Sequence, residues 1–184
     1  MTLVYTAITS LDGYVADRAG RWDWSVPDEA VHAAVNELER PTGTYLLGRR
    51  MYEVLAVWET MPTEGEPAVI GDYAAIWRAA DKVVHSTTVD TVSTARTRLV
   101  RSFEPEAVRA LVAGSAADVG IGGPDLAAQA LRAGLVGEIR LFVNPVVVGG
   151  GTAALPEDVT VRLERVETRE FPNGAVLLRY AVRS

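Results

Sequence analysis

Ala117-Asp118-Val119-Gly120-Ile121-Gly122-Gly123-Pro124-Asp125-Leu126-Ala127-Ala128-Gln129-Ala130-Leu131-Arg132-Ala133-Gly134 is the stretch that decides the fold class. Ala117 to Ile121 reads as a strand, and it stops on paired glycines. Pro124 suits a first helical turn, Ala127, Ala130 and Leu131 keep helical spacing, and Gly134 closes the helix. A strand that passes into a helix within two residues is half of a parallel βαβ unit.

The same alternation continues on both sides. Leu3 to Ile8, Thr44 to Leu47 and Lys82 to His85 read as short buried strands. Ser25 with Asp28 resembles a capping box, and with Pro27 it predicts a helix over 27–39 whose inner face is Val31, Ala34, Val35 and Leu38. Met51, Val54, Leu55 and Trp58 repeat helical spacing, as do Tyr73, Ile76, Trp77 and Ala80, and Pro105 and Gly114 bracket another helix. Towards the end, 138–148 and 159–170 are strand-like, and Asn173-Gly174 predicts a hairpin turn into 175–182. The expectation is a single α/β domain over 1–184: a three-layer α/β/α sandwich, mostly parallel, closed by a C-terminal antiparallel hairpin.

Composition narrows the function classes. The chain has 184 residues and a net charge of −6, which argues against a nucleic-acid partner, because such partners need a basic stripe. Without cysteine, thiolate zinc sites, iron–sulfur clusters and thiol nucleophiles are excluded. Met1 leads into an apolar run with no basic region before it, and Asp12 interrupts that run, so a cytoplasmic location is expected and no membrane partner. His32 and His85 have no companions at metal-ligand spacing, so no metal is expected. The triple glycine 149–151 reads as a bend rather than a phosphate cradle.

Two strand-to-helix corners carry the chemistry. Gly122-Gly123-Pro124-Asp125 lets backbone approach a ligand at a helix N-terminus, as a diphosphate would require, although a tight turn alone also calls for glycine. At Gly48-Arg49-Arg50-Met51, two arginines sit where the helix dipole disfavours cations, and a bound phosphate would explain them; two solvated side chains remain the other reading. Tyr14 and Val15 are unusual in a solvated loop, so 10–17 folds over something, and Trp22 and Trp24 are either rings beside a cleft or core. Glu29 is either a dipole-stabilising surface residue or a carboxylate in that cleft.

Five motifs occur in order: Ser-Leu-Asp-Gly-Tyr-Val-Ala-Asp at 10–17, Leu-Gly-Arg-Arg-Met-Tyr-Glu at 47–53, Lys-Val-Val-His-Ser-Thr at 82–87, Gly-Ile-Gly-Gly-Pro-Asp-Leu at 120–126 and Asn-Pro-Val-Val-Val-Gly-Gly-Gly-Thr at 144–152. Together they resemble the dihydrofolate-reductase-like family, and within it the C-terminal reductase domain of the riboflavin-biosynthesis deaminase-reductase, RibD. The resemblance implies an eight-stranded sheet, NADPH as hydride donor and a homodimer. By position it implies that Ile121, Gly122, Gly123, Pro124, Asp125 and Leu126 line the cofactor diphosphate. Gly48, Arg49, Arg50 and Met51 would hold the adenosine-side phosphates, with Arg49 on the 2′-phosphate and Ser86 and Thr87 beside the adenosine. Ala7, Ile8 and Val15 would meet the nicotinamide, Trp24 and Glu29 the substrate, and Glu29 or Asp12 would supply a proton.

The pattern also departs from the family. Met51 stands where a threonine is usual, Ile121 where the riboflavin-pathway reductases place Glu, and Ala127 where dihydrofolate reductases have tyrosine. No His/Cys/Cys deaminase signature is present. The resemblance therefore implies a stand-alone NADPH-dependent reductase of a pyrimidine- or pterin-like heterocycle, similar to the aminouracil ribose-phosphate reductase. A dihydrofolate reductase and a nucleotide-binding module without catalysis are the alternatives.

Overall fold

The computed structural model describes residues 1–183. Six strands run parallel: β1 (Leu3–Thr9), β3 (Thr42–Gly48), β4 (Asp81–His85), β5 (Thr97–Val100), β6 (Asp118–Gly122) and β7 (Glu138–Val143). The hairpin β9 (Arg162–Glu170) and β10 (Val176–Arg183) adds antiparallel to β7, giving the eight-stranded order β5-β4-β3-β6-β1-β7-β10-β9. A second sheet of two strands pairs β2 (Tyr14–Asp17) with β8 (Gly151–Ala153).

Alternation along the strands builds the layers. Leu3, Tyr5 and Ala7 of β1, Leu46 of β3 and Val83 of β4 join one cluster with α4 (Pro105–Gly114) and α5 (Pro124–Arg132). On the other face Ile8 packs with Val31, Ala34 and Leu38 of α1 (Glu29–Glu39). Tyr45, Leu47 and Val84 pack there with Tyr52 of α2 (Arg49–Leu55) and Trp77 of α3 (Ala68–Ala79). The result is the expected α/β/α sandwich with its C-terminal antiparallel pair.

Several local expectations are corrected. Asp28, not Ser25, caps α1, accepting from Val31 N at 2.9 Å, and Ser25 belongs to the preceding 3-10 turn, where its hydroxyl bonds Trp22 O. The strand expected over 138–148 ends at Val143: Asn144 N still reaches Thr9 O at the end of β1, but Val146 N turns back to Asn144 O and Val146 O accepts from Leu11 N in the loop after β1. β2, β5 and β8 were not expected from the pattern. The hairpin turn is as read: Gly174 has φ 86° and the Asn173 side chain accepts from Ala175 N at 2.9 Å. The three glycines do form a bend, with φ of 73°, 132° and 142°.

Candidate active site

In open α/β sheets, ligands settle at the C-terminal ends of parallel strands. Here β1, β3, β4 and β6 end on one edge at Thr9, Gly48, His85 and Gly122. β3 and β6 are neighbours with Leu47 opposite Gly122, so the two glycine corners face each other. A Cβ on Gly122 would come within 2.8 Å of Leu47 Cδ2 and 3.0 Å of Met51 Cγ, so only glycine leaves that contact undisturbed. Gly123, at φ 95°, would carry a Cβ 3.9 Å from Gly48 N. Glycine therefore lets the two helix starts approach each other. No side chain caps either helix start, which leaves their first N–H groups free of side-chain acceptors.

A groove of about 400 Å³ opens beside this junction. Arg49, Ser86, Thr87 and Leu126 line it, as do Arg101, His85 and Gln129, which sequence reasoning missed. Leu126 joins the groove to the corner, because a Cβ on Gly48 would touch its Cβ at 3.9 Å. Ser86 shapes the rim: its hydroxyl accepts from Thr88 N and Val89 N, while Arg101 Nη1 donates to Ser86 O and to Val89 O at 2.6 Å. Arg49 donates to both Glu53 oxygens, at 3.0 and 3.2 Å, so one helical turn already gives it a counter-charge. Arg50 is exposed. The His85 ring meets Phe103 at 5.7 Å and its Nδ1 lies 3.1 Å from Ser102 O; burial lowers its pKa, which keeps the ring neutral.

Gly122, Gly123, Pro124 and Asp125 border the junction, and Asp125 occupies the first turn of α5. Ile121 is only 2% exposed, inside the core, so no more than its backbone can reach a ligand. Met51 is half-buried and packs against Gly122 and Gly123.

The remaining candidates gather around the end of β1. Ala7 and Ile8 point to opposite faces of the sheet, and Val15 of β2 packs against the Ala7 side. Trp24 is half-buried, with its indole Nε1 covered and without a partner. Glu29 opens α1, is exposed, and makes no hydrogen bond or ion pair among the described residues. Ten residues on, Glu39 accepts from Thr6 Oγ1 of β1 at 2.9 Å. At 1.5 Å per residue, Glu29 at the start of α1 therefore lies about 15 Å from Glu39 along the helix. Asp12 differs from its expected role. Its oxygens accept from Val148 N and Gly149 N at 3.1 and 2.8 Å, and the Ser10 hydroxyl and those N–H groups hold its carboxyl below the usual range. A proton donor needs the opposite shift.

The model of the RibD C-terminal domain family matches residues 1–177, nearly the whole chain. The chain belongs to that family. Among curated proteins it is similar to the uncharacterized protein YyaP of Bacillus subtilis strain 168, 25% identical over 182 residues, which span 97% of this chain and 93% of that one. Among solved structures, a pyrimidine reductase-like protein of Corynebacterium diphtheriae superposes with TM-score 0.68 at 16% identity, covering 100% of this chain and 92% of that one. Dihydrofolate reductase of Enterococcus faecalis, solved with NADP(H), gives TM-score 0.63 at 14% identity, covering 100% and 97%. These likenesses establish a dihydrofolate-reductase-like fold for this RibD C-terminal domain. No helix among the described residues is long and apolar enough to cross a membrane.

Proposed function

We propose that this RibD C-terminal domain is an NADPH-dependent reductase of a pyrimidine- or pterin-like heterocycle, working in the cytoplasm as a homodimer. One observation carries the reading: the Gly48 and Gly122–Gly123 corners lie on neighbouring strands, and beside them Arg49, Leu126 and Arg101 line a groove. The residues fit a phosphorylated dinucleotide. Guanidinium groups suit a 2′-phosphate, Ser86 and Thr87 would edge the adenosine, and the glycine corner would give a diphosphate access to the N–H groups of Asp125 and Leu126. From β4 to β1 there are three strand steps, about 14 Å at the usual spacing, which would place the nicotinamide at Ala7, Ile8 and Val15.

When bound, the cofactor supplies the hydride. The chain's part is to orient and to protonate. Glu29, at the head of α1 five residues after Trp24 and without an ion pair among the described residues, would hold the ring of the substrate and deliver a proton to the nitrogen or oxygen beside the reduced carbon. The homodimer is supported by Leu141, Leu178, Tyr180, Val182 and Leu163, which share one face of β7, β10 and β9 and stay partly exposed. Fluorescence titration with NADPH and NADH tests the cofactor. NADPH oxidation with dihydrofolate, the aminouracil ribose-phosphate and simpler pterins then tests the substrate class. Tight NADPH binding without turnover on any of them would replace the enzyme with a binding module.

A further inference from the structure

We propose that Asp12 is a positioning residue, a latch that fastens the loop after β1 to the chain after β7 and thereby shapes the nicotinamide side of the cleft. This rests on the cofactor reading above. The carboxylate is exposed, yet both its oxygens are engaged: Oδ1 accepts from Val148 N and Oδ2 from Gly149 N. The two donors are consecutive amides 136 and 137 residues away in sequence, so the carboxylate ties together loops that are distant along the chain. Three further contacts close the strap: Leu11 N to Val146 O at 2.7 Å, Ala154 N to Gly13 O at 2.9 Å, and Arg18 Nη2 to Gly149 O at 3.0 Å.

The strap crosses the C-terminal end of β1, where Thr9 and Ser10 are buried and where Asn144 N reaches Thr9 O. It carries Val15 through β2, whose partner strand begins at Gly151, two residues after the second latched amide. Leu11 and Val147, 66% and 65% exposed, sit on either side of the latch. Burial of the helices does not need the latch, since α1, α4 and α5 pack elsewhere. Its effect is therefore on the site and not on the core.

Asp12→Asn and Asp12→Ala test this with two probes: NADPH, and 2′,5′-ADP, which lacks the nicotinamide half. Each variant is expected to bind NADPH about tenfold more weakly, as loss of a charge-assisted hydrogen bond implies. Binding of 2′,5′-ADP should stay unchanged, and amide exchange at Val148 and Gly149 should accelerate. An equal loss for both probes, no loss for either, or unaltered exchange at those amides would overturn the latch while leaving the cofactor reading intact. A wild-type chain that fails to bind NADPH at all would overturn the cofactor reading and the latch's role with it.

Discussion

At the scale of single residues, Arg49 is contested between an ion pair and a ligand. It is held bidentately by Glu53, but the pair is exposed, and such pairs contribute about 1 kcal/mol or less. A dianionic 2′-phosphate would compete with that carboxylate for the guanidinium. Arg49→Ala should therefore weaken NADPH at least about tenfold and leave NADH nearly unchanged in calorimetric titration, given the strength of charged hydrogen bonds. Glu29→Gln should leave NADPH binding alone and lower kcat about 100-fold, the usual share of general acid catalysis, in steady-state assays of whichever heterocycle turns over. A third residue-scale effect lies far from the site. Arg140 is 3% exposed between Glu138, Glu39 and the Leu38 carbonyl. Removing it leaves buried Glu39 without its guanidinium and Glu138 with Arg179 alone, so Arg140→Ala should cost about 3 kcal/mol in urea unfolding. Burial alone would raise the Glu138 pKa, but hydrogen bonds from Arg179 and Arg140 outweigh that and hold it low. A depressed carboxylate stabilises the fold above its unfolded pKa, about 4.3, and that contribution vanishes as pH falls through the folded value. Melting temperature should thus drop in acid, and drop less steeply in Glu138→Gln.

At the scale of elements, legibility followed the source of the order. α5 and β6 declared themselves through glycine, proline and spacing because their own chains dictate them. β5 and β8 did not, since Thr-Arg-Leu-Val and Gly-Thr-Ala become strands only when β4 and β2 supply partners. Val146 to Val148 looked like strand for the converse reason: the residues are β-branched, but Leu11 and Asp12 claim their backbone. The site divides along the same line. The glycine corners were readable, whereas Arg101, His85 and Gln129 reach the groove only because the sheet order sets β4, β5 and α5 together. Gly151 tests how far the small sheet depends on one position. A Cβ there would lie 2.0 Å from Ala16 O, at φ 142°. Gly151→Ala should separate β2 from β8, visible as loss of amide protection over 14–17, with little change at β6 or β7.

At the scale of the whole molecule, the hairpin face predicts the assembly. Light scattering should report about twice the 19.8 kDa chain mass, and Leu178→Glu should yield folded single chains by placing a charge in the shared face. The order of strands has a temporal consequence as well. β1 pairs only with β6 and β7, so Leu3 finds Val119, and Val4 finds Glu138, more than a hundred residues later. During synthesis the first strand to leave the ribosome has no hydrogen-bonding neighbour until β6, more than a hundred residues later, has followed it. Such distant closure makes folding slow, in the range of milliseconds to seconds, and gives chaperones their longest opportunity at the amino-terminal segment.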